Sequence, residues 1–176
     1  MLSEASLINS PHCVVAVDPG LSGAILKLGR GVFTLYRDFK SPAQIALAVQ
    51  ALTTGDIMPD LVAVEAVHAF PGQGVVSVWS FAEATAYAKA ALCLCAPSAR
   101  PLEPQPQAWQ KWAREFFEVS RSEEFDSRTL ATNLFPSYAS MFKRVKDHNS
   151  ADACLIGAWA LQLASNFPTP KLPPAA

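Results

Sequence analysis

Three carboxylates stand where the residues around them call for apolar side chains. Asp18 closes the run Cys13-Val-Val-Ala-Val-Asp18. Glu65 breaks into "LVAVEAV", residues 61–67. Asp152 lies between Ala151 and Ala153 in "SADACLIGAWALQLAS", residues 150–165. Acids are depleted in strands and costly to bury unpaired. Each has a plainer reading alone. Asp18 precedes Pro19-Gly20, as turn aspartates often do. Asp152 suits the positive end of a helix dipole. Glu65 is the hardest to explain away, because an apolar strand face seldom tolerates a lone charge. The three together are more specific than any one. Brought to one end of a sheet they would repel one another, and a divalent cation relieves that repulsion. Hard oxygen donors suit Mg²⁺ or Mn²⁺. Two such ions can activate a water and stabilise the leaving oxygen of a phosphodiester.

The elements that must position these residues are legible from hydrophobic spacing. Cys13–Val17, Gly23–Leu28 and Val32–Asp38 read as three strands joined by tight turns, the second at Gly29-Arg30-Gly31. Ser41-Pro42 opens a helix whose apolar positions Ile45, Ala48, Val49 and Leu52 recur at helical spacing, and Gly55 stops it. Leu61–Val67 is then a strand reached through a helix, which makes it parallel. Residues 74–95 form a long apolar helix rich in small residues. Residues 99–106 are extended, 106–117 an amphipathic helix, 118–146 mixed, and 150–165 a final apolar helix. The order predicts an α/β fold with a central mixed five-stranded sheet flanked by helices. Residues 1–11 and the Pro-rich 167–176 are expected to be flexible tails around one domain, 12–166.

Bulk properties bound the answer. The chain has 176 residues, is 51% hydrophobic and 16% charged, and carries a formal net charge of −1. Mean hydropathy is +0.18. This is the composition of a folded domain, and it excludes a uniformly basic nucleic-acid binder: any basic surface must be local. Cys13, Cys93, Cys95 and Cys154 lie in mostly apolar contexts without metal-ligand spacing, and read as reduced core thiols. No apolar run is long enough to span a membrane, and the N-terminus lacks the pattern of a signal peptide.

The segments "VDPGLSG", "VEAVHAFPGQGVVSVWSFAEATAYAKAAL", "PQAWQKW" and "DHNSADACLIGAWAL" resemble the RuvC-type Holliday-junction resolvases, in particular phage-like and divergent members with the ribonuclease H-like fold. The likeness covers about residues 13–165, and "VHAFPGQGVVSVWSF" is its most specific part. It implies a homodimeric endonuclease that acts on branched DNA, the four-way junction, with two Mg²⁺ or Mn²⁺ ions per site. No covalent nucleophile, organic cofactor or membrane partner is implied, and the compartment is the cytoplasm of a bacterial or phage-infected cell. Asp18 matches the family's first metal ligand, Glu65 the second and Asp152 the last. By the resemblance Asp18 bridges the ions, Glu65 binds the ion that activates water, and Asp152 holds the other. The family's remaining ligand lies three to five residues before the last aspartate, where this chain reads Asp147-His148-Asn149. Asn149 is no strong ligand. Asp147 is preferred, because a second anion suits Mg²⁺, with His148 as the alternative.

Phosphate contacts call for Lys, Arg and backbone amides. The loop after Glu65 offers Gln73 as a donor and Phe70 as a stacking residue or a core anchor. Lys111, Lys143, Arg144 and Lys146 are the basic candidates. Trp79, Phe81 and Tyr87 are expected in the core or in a dimer contact rather than on DNA. Two other readings stand beside resolution: another ribonuclease H-like nuclease that cuts flaps or hybrids, and a catalytically impaired junction-binding module, which Asn149 keeps open.

Overall fold

The computed structural model describes residues 2–66 and 72–166. Five strands form one sheet: β1 (Val14–Asp18), β2 (Ala24–Gly29), β3 (Val32–Arg37), β4 (Leu61–Val64) and β5 (Arg100–Leu102). Their order is β3-β2-β1-β4-β5. β1, β2 and β3 make an antiparallel meander, while β4 and β5 add in parallel on the other side of β1. The expected mixed five-stranded sheet is therefore present. The helices are α1 (Glu4–Ile8), α2 (Pro42–Thr53), α3 (Val75–Cys95), α4 (Pro106–Phe116), α5 (Ser127–Leu134) and α6 (His148–Ala164).

Strand side chains alternate between faces, and the alternation divides the core in two. Val15, Val17, Ile25, Val62 and Val64 pack with α2 and α3. Val14, Ala16, Leu26, Leu28, Leu61 and Ala63 pack under α6, with α4 and α5 behind it. α6 is buried almost all round, which explains its lack of a polar face. It lies unusually near the sheet: a Cβ on Gly157 would meet Leu26 Cδ2 at 2.8 Å and Ala16 Cβ at 3.5 Å.

Several local expectations are corrected. Residues 2–11 are not loose throughout, because Ser3 caps α1 through a capping box and Leu7 is buried in the core. The strand at 61–67 ends at Val64, so Glu65 follows it rather than interrupting it. The last helix starts at His148, two residues early, and α5 lies within the stretch read only as mixed. Cys13 and Cys154 are buried free thiols, whereas Cys93 is exposed and Cys95 half-buried. On α3, Trp79 is 72% exposed and Tyr87 43%, so neither belongs to this chain's core. No described helix is long and apolar enough to cross a membrane.

Candidate active site

β1 ends on Asp18 and turns sharply. Gly20 sits at φ 120°, and a Cβ on Gly23 would lie 2.2 Å from the Asp18 carbonyl oxygen, so both positions require glycine. The parallel register pairs Val17 with Val64, and the Glu65 N–H donates to the Val17 carbonyl at 3.0 Å. Asp18 and Glu65 thus leave neighbouring strands at the same level. By alternation both continue the Val14–Ala16 and Leu61–Ala63 rows, toward α6. Asp152 stands near the start of α6 and accepts a hydrogen bond from the Ser127 hydroxyl at the start of α5.

The three carboxylates sense one another. Burial raises Asp18 well above the ordinary carboxylate range, and the charges of Asp152 and Glu65 push it further. Burial also raises Glu65, against a hydrogen bond from Trp109, with Asp152 adding to the rise. Asp152 is raised to about 6 by burial, against the Ser127 hydroxyl and the charge of His148. The Trp109 indole N–H, on α4, donates to Glu65 Oε1 at 2.7 Å.

The residues before Asp152 divide into different roles. Asp147 is 2% exposed, and its carboxylate is taken up by arginines. Arg37 Nη1 donates to Oδ1 at 3.0 Å and Arg144 Nη2 at 2.8 Å. The Arg144 backbone N–H donates to Oδ2 at 2.8 Å. Arg37 also reaches the Met141 carbonyl and the Ser150 hydroxyl, so the cluster ties edge strand β3 to the start of α6. A carboxylate so engaged belongs to a structural latch and is separate from the coupled acids. His148 stands one helical turn before Asp152, exposed, and its charge acts on that carboxyl. Its Nδ1 donates to the Val145 carbonyl at 3.1 Å, which leaves Nε2 as the acceptor of the neutral ring. Asn149 donates through Nδ2 to the Ser22 carbonyl at 2.7 Å and so fastens α6 to the turn that follows Asp18.

Of the nucleic-acid candidates, Gln73, Lys111, Lys143, Arg144 and Lys146 are all at the surface. Arg144 is bound to Asp147, Lys146 reaches Asp38 at 3.6 Å, and Lys111 reaches Glu115 at 3.8 Å. Lys143 and Lys146 precede α6 in the chain, and Lys111 stands on α4. Phe70 lies outside the described residues.

The donor set has the chemistry a hard divalent cation takes: two buried carboxylates and a half-buried one at electrostatic cost, with an imidazole beside them. Among the described residues, no three His, Cys, Asp or Glu side chains converge on a shared ion as they stand. One Glu65 oxygen is turned to Trp109. Trp109 was not legible as a site residue by spacing. The signal available was a large aromatic on the inner side of an amphipathic helix, whose N–H must find a partner once buried.

No protein-family model matches this chain. No curated protein matches it in sequence. Solved structures do match. The structure of T. thermophilus RuvC in complex with a Holliday junction substrate is 14% identical, with a TM-score of 0.57, over 91% of this chain and 99% of that one. A second Thermus thermophilus RuvC structure is 15% identical at a TM-score of 0.56, over 90% and 99%. The yeast mitochondrial Holliday junction resolvase Ydc2 is 11% identical at a TM-score of 0.60, over 92% of this chain and 82% of that one. The fold is the ribonuclease H-like α/β fold of these proteins.

Proposed function

We propose that this chain is a structure-selective DNA endonuclease that resolves four-way junctions by metal-assisted phosphodiester hydrolysis. The observation that carries the reading is the coupled set Asp18, Glu65 and Asp152, gathered from β1, the end of β4 and α6 in a chain built like RuvC. Asp18, Glu65 and Asp152 would hold Mg²⁺ or Mn²⁺, two ions in all, with His148 rather than Asp147 as the further ligand. When bound, the ions supply Lewis-acid activation of a water and neutralise charge at the leaving oxygen. The chain's own residues orient and charge the site. Asp18 ends β1 beside Glu65, and the charge of Asp152 acts on both of them. Ser127 holds one side of Asp152 and Trp109 one side of Glu65. Lys143 and Lys146, before α6, would meet the phosphate backbone, with Gln73, Lys111 and the outer edge of Arg144; Phe70 would meet the bases. The compartment proposed is the one that holds branched DNA, the cytoplasm of a bacterial or phage-infected cell.

The active form is proposed to be a homodimer, because a junction needs two symmetric cuts. α3 and α2 present the apolar residues Val75, Val76, Leu94 and Leu47, each more than 60% exposed. Leu47, Tyr87 and Leu94 line one groove of about 720 Å³ between the two helices.

The test is cleavage of a synthetic four-way junction with Mg²⁺ or Mn²⁺, beside linear duplex, flap and RNA–DNA hybrid. Paired symmetric nicks at the junction support resolution. Preferred cutting of flaps or hybrids overturns it in favour of another nuclease. Tight junction binding without cleavage in either metal identifies a binding module instead.

A further inference from the structure

The geometry points to Trp109 as a positioning residue that fixes which oxygen of Glu65 is free to face a bound cation. The inference rests on the metal-site reading above and deepens it. Glu65 follows the last residue of β4; its backbone N–H is held by the Val17 carbonyl, but that bond leaves the side chain to be fixed by other contacts. A glutamate side chain has several torsions to fix even where it is buried, and one held loosely would bind an ion more weakly. Trp109 removes that freedom. Its ring is 1% exposed, packed within the core beneath α6 and met edge-on by Phe125 at 5.7 Å. The indole is thus immobile, and its one N–H is aimed at Glu65 Oε1 over 2.7 Å. Oε1 is the committed oxygen and Oε2 the available one.

Two further features separate this contact from ordinary core packing. A buried indole N–H needs only some acceptor, and backbone carbonyls are the common choice; here it takes a charged side chain from a different element. Trp112, on the same helix, shows the alternative: its N–H donates to Gln162 Oε1 at the surface of α6, away from the acids. α4 therefore carries two indoles with hydrogen-bonded N–H groups, and only one of them touches the site.

The experiment uses the full chain. Mn²⁺ binding without DNA is measured by the loss of the free-ion EPR signal for wild type, Trp109→Phe, Trp112→Phe and Asp18→Asn. Phe keeps the ring and loses the N–H. The expectation is a dissociation constant raised about tenfold in Trp109→Phe, the usual size for removing a residue that orients a metal ligand, and unchanged in Trp112→Phe. In junction cleavage, the Mn²⁺ concentration for half-maximal rate rises by the same factor while the rate at saturating metal stays near wild type. A folded Trp109→Phe with wild-type Mn²⁺ affinity overturns the inference. Wild type supplies an independent readout should that variant not fold. The Trp109 indole N–H resonance, identified by its contacts to Phe125, is expected to shift along the Mg²⁺ binding curve. A resonance that stays put while Mg²⁺ saturates the site overturns it equally. If wild type binds no Mn²⁺, or Asp18→Asn binds it as well as wild type, the metal-site reading itself fails and takes this inference with it.

Discussion

Asp18 and Glu65 stand side by side because β1 and β4 run parallel in a register that pairs Val17 with Val64 and closes with the Glu65 N–H on the Val17 carbonyl at 3.0 Å. The charge of Asp152 acts on both of them, so the two strand-end acids and the helix acid share one electrostatic environment. Asp18→Asn keeps the shape and removes the charge. Junction cleavage is expected to fall on the order of a hundredfold or more, the size of a lost cation-stabilised charge, with junction binding largely kept. Gel-shift and cleavage assays on one four-way junction separate the two effects.

The pH dependence of stability follows from the same acids. Asp18, Glu65 and Asp152 are all raised in the fold, Asp152 to about 6. The folded state therefore holds protons that the unfolded state releases, and its stability is greatest below the unfolded carboxylate values and declines as pH rises through the folded ones. Calorimetry of the metal-free protein is expected to show Tm falling from about pH 5 to about pH 7. Mg²⁺ or Mn²⁺ added above that range should restore Tm, since the cation binds the folded chain alone. Asp152→Asn should flatten the pH slope.

Asp147 and His148 are neighbours in sequence with opposite expected phenotypes. Asp147 is buried against Arg37 and Arg144. Asp147→Ala removes the carboxylate partner of Arg37 and Arg144, leaving Arg37 the Met141 carbonyl and the Ser150 hydroxyl, and should cost about 3 kcal/mol of stability. His148 is exposed, and His148→Ala should leave urea unfolding near wild type while weakening Mn²⁺ binding. An Asp147→Asn variant that folds normally yet binds no metal would return Asp147 to the ligand set.

Gly157 governs how near α6 lies to the sheet. Gly157→Ala forces a methyl to within 2.8 Å of Leu26 Cδ2. The expected loss is about 1–3 kcal/mol, with reduced cleavage from a displaced Asp152. Chemical denaturation and nicking rates on the same preparation test both.

Leu94, on α3, is 81% exposed, and Leu47, on α2, is 62% exposed. Placing a charge there with Leu47→Glu or Leu94→Glu should yield a monomer by sedimentation and uncouple the paired nicks, leaving the site itself intact. A wild-type chain that sediments as a monomer on junction DNA would refute the dimer.

How far the sequence reached was set by the range of the forces involved. Hydrophobic alternation is local, and it suffices to mark β1, β2, β3, α2, α3, α4 and most of α6. It also exposes Asp18, Glu65 and Asp152 as acids out of place, because a charge in an apolar run is visible without knowing its neighbours. α5 was hidden although Ser127, Leu130, Ala131 and Leu134 recur at helical spacing, because it spans only eight residues beside two 3-10 turns. The roles around Asp152 were not readable either. Asp147, His148 and Asn149 look alike as a polar string ahead of a helix. Which one meets Arg37 from β3, which one faces Asp152 and which one reaches Ser22 depends on partners about 110 to 127 residues away or on the rotation of α6. The tie from Trp109 to Glu65 spans 44 residues in the same way. Sequence by itself determined which residues carry unusual charge in an apolar setting; tertiary structure decided which charges share a space, because electrostatics and hydrogen bonds act through distance in the fold and not along the chain.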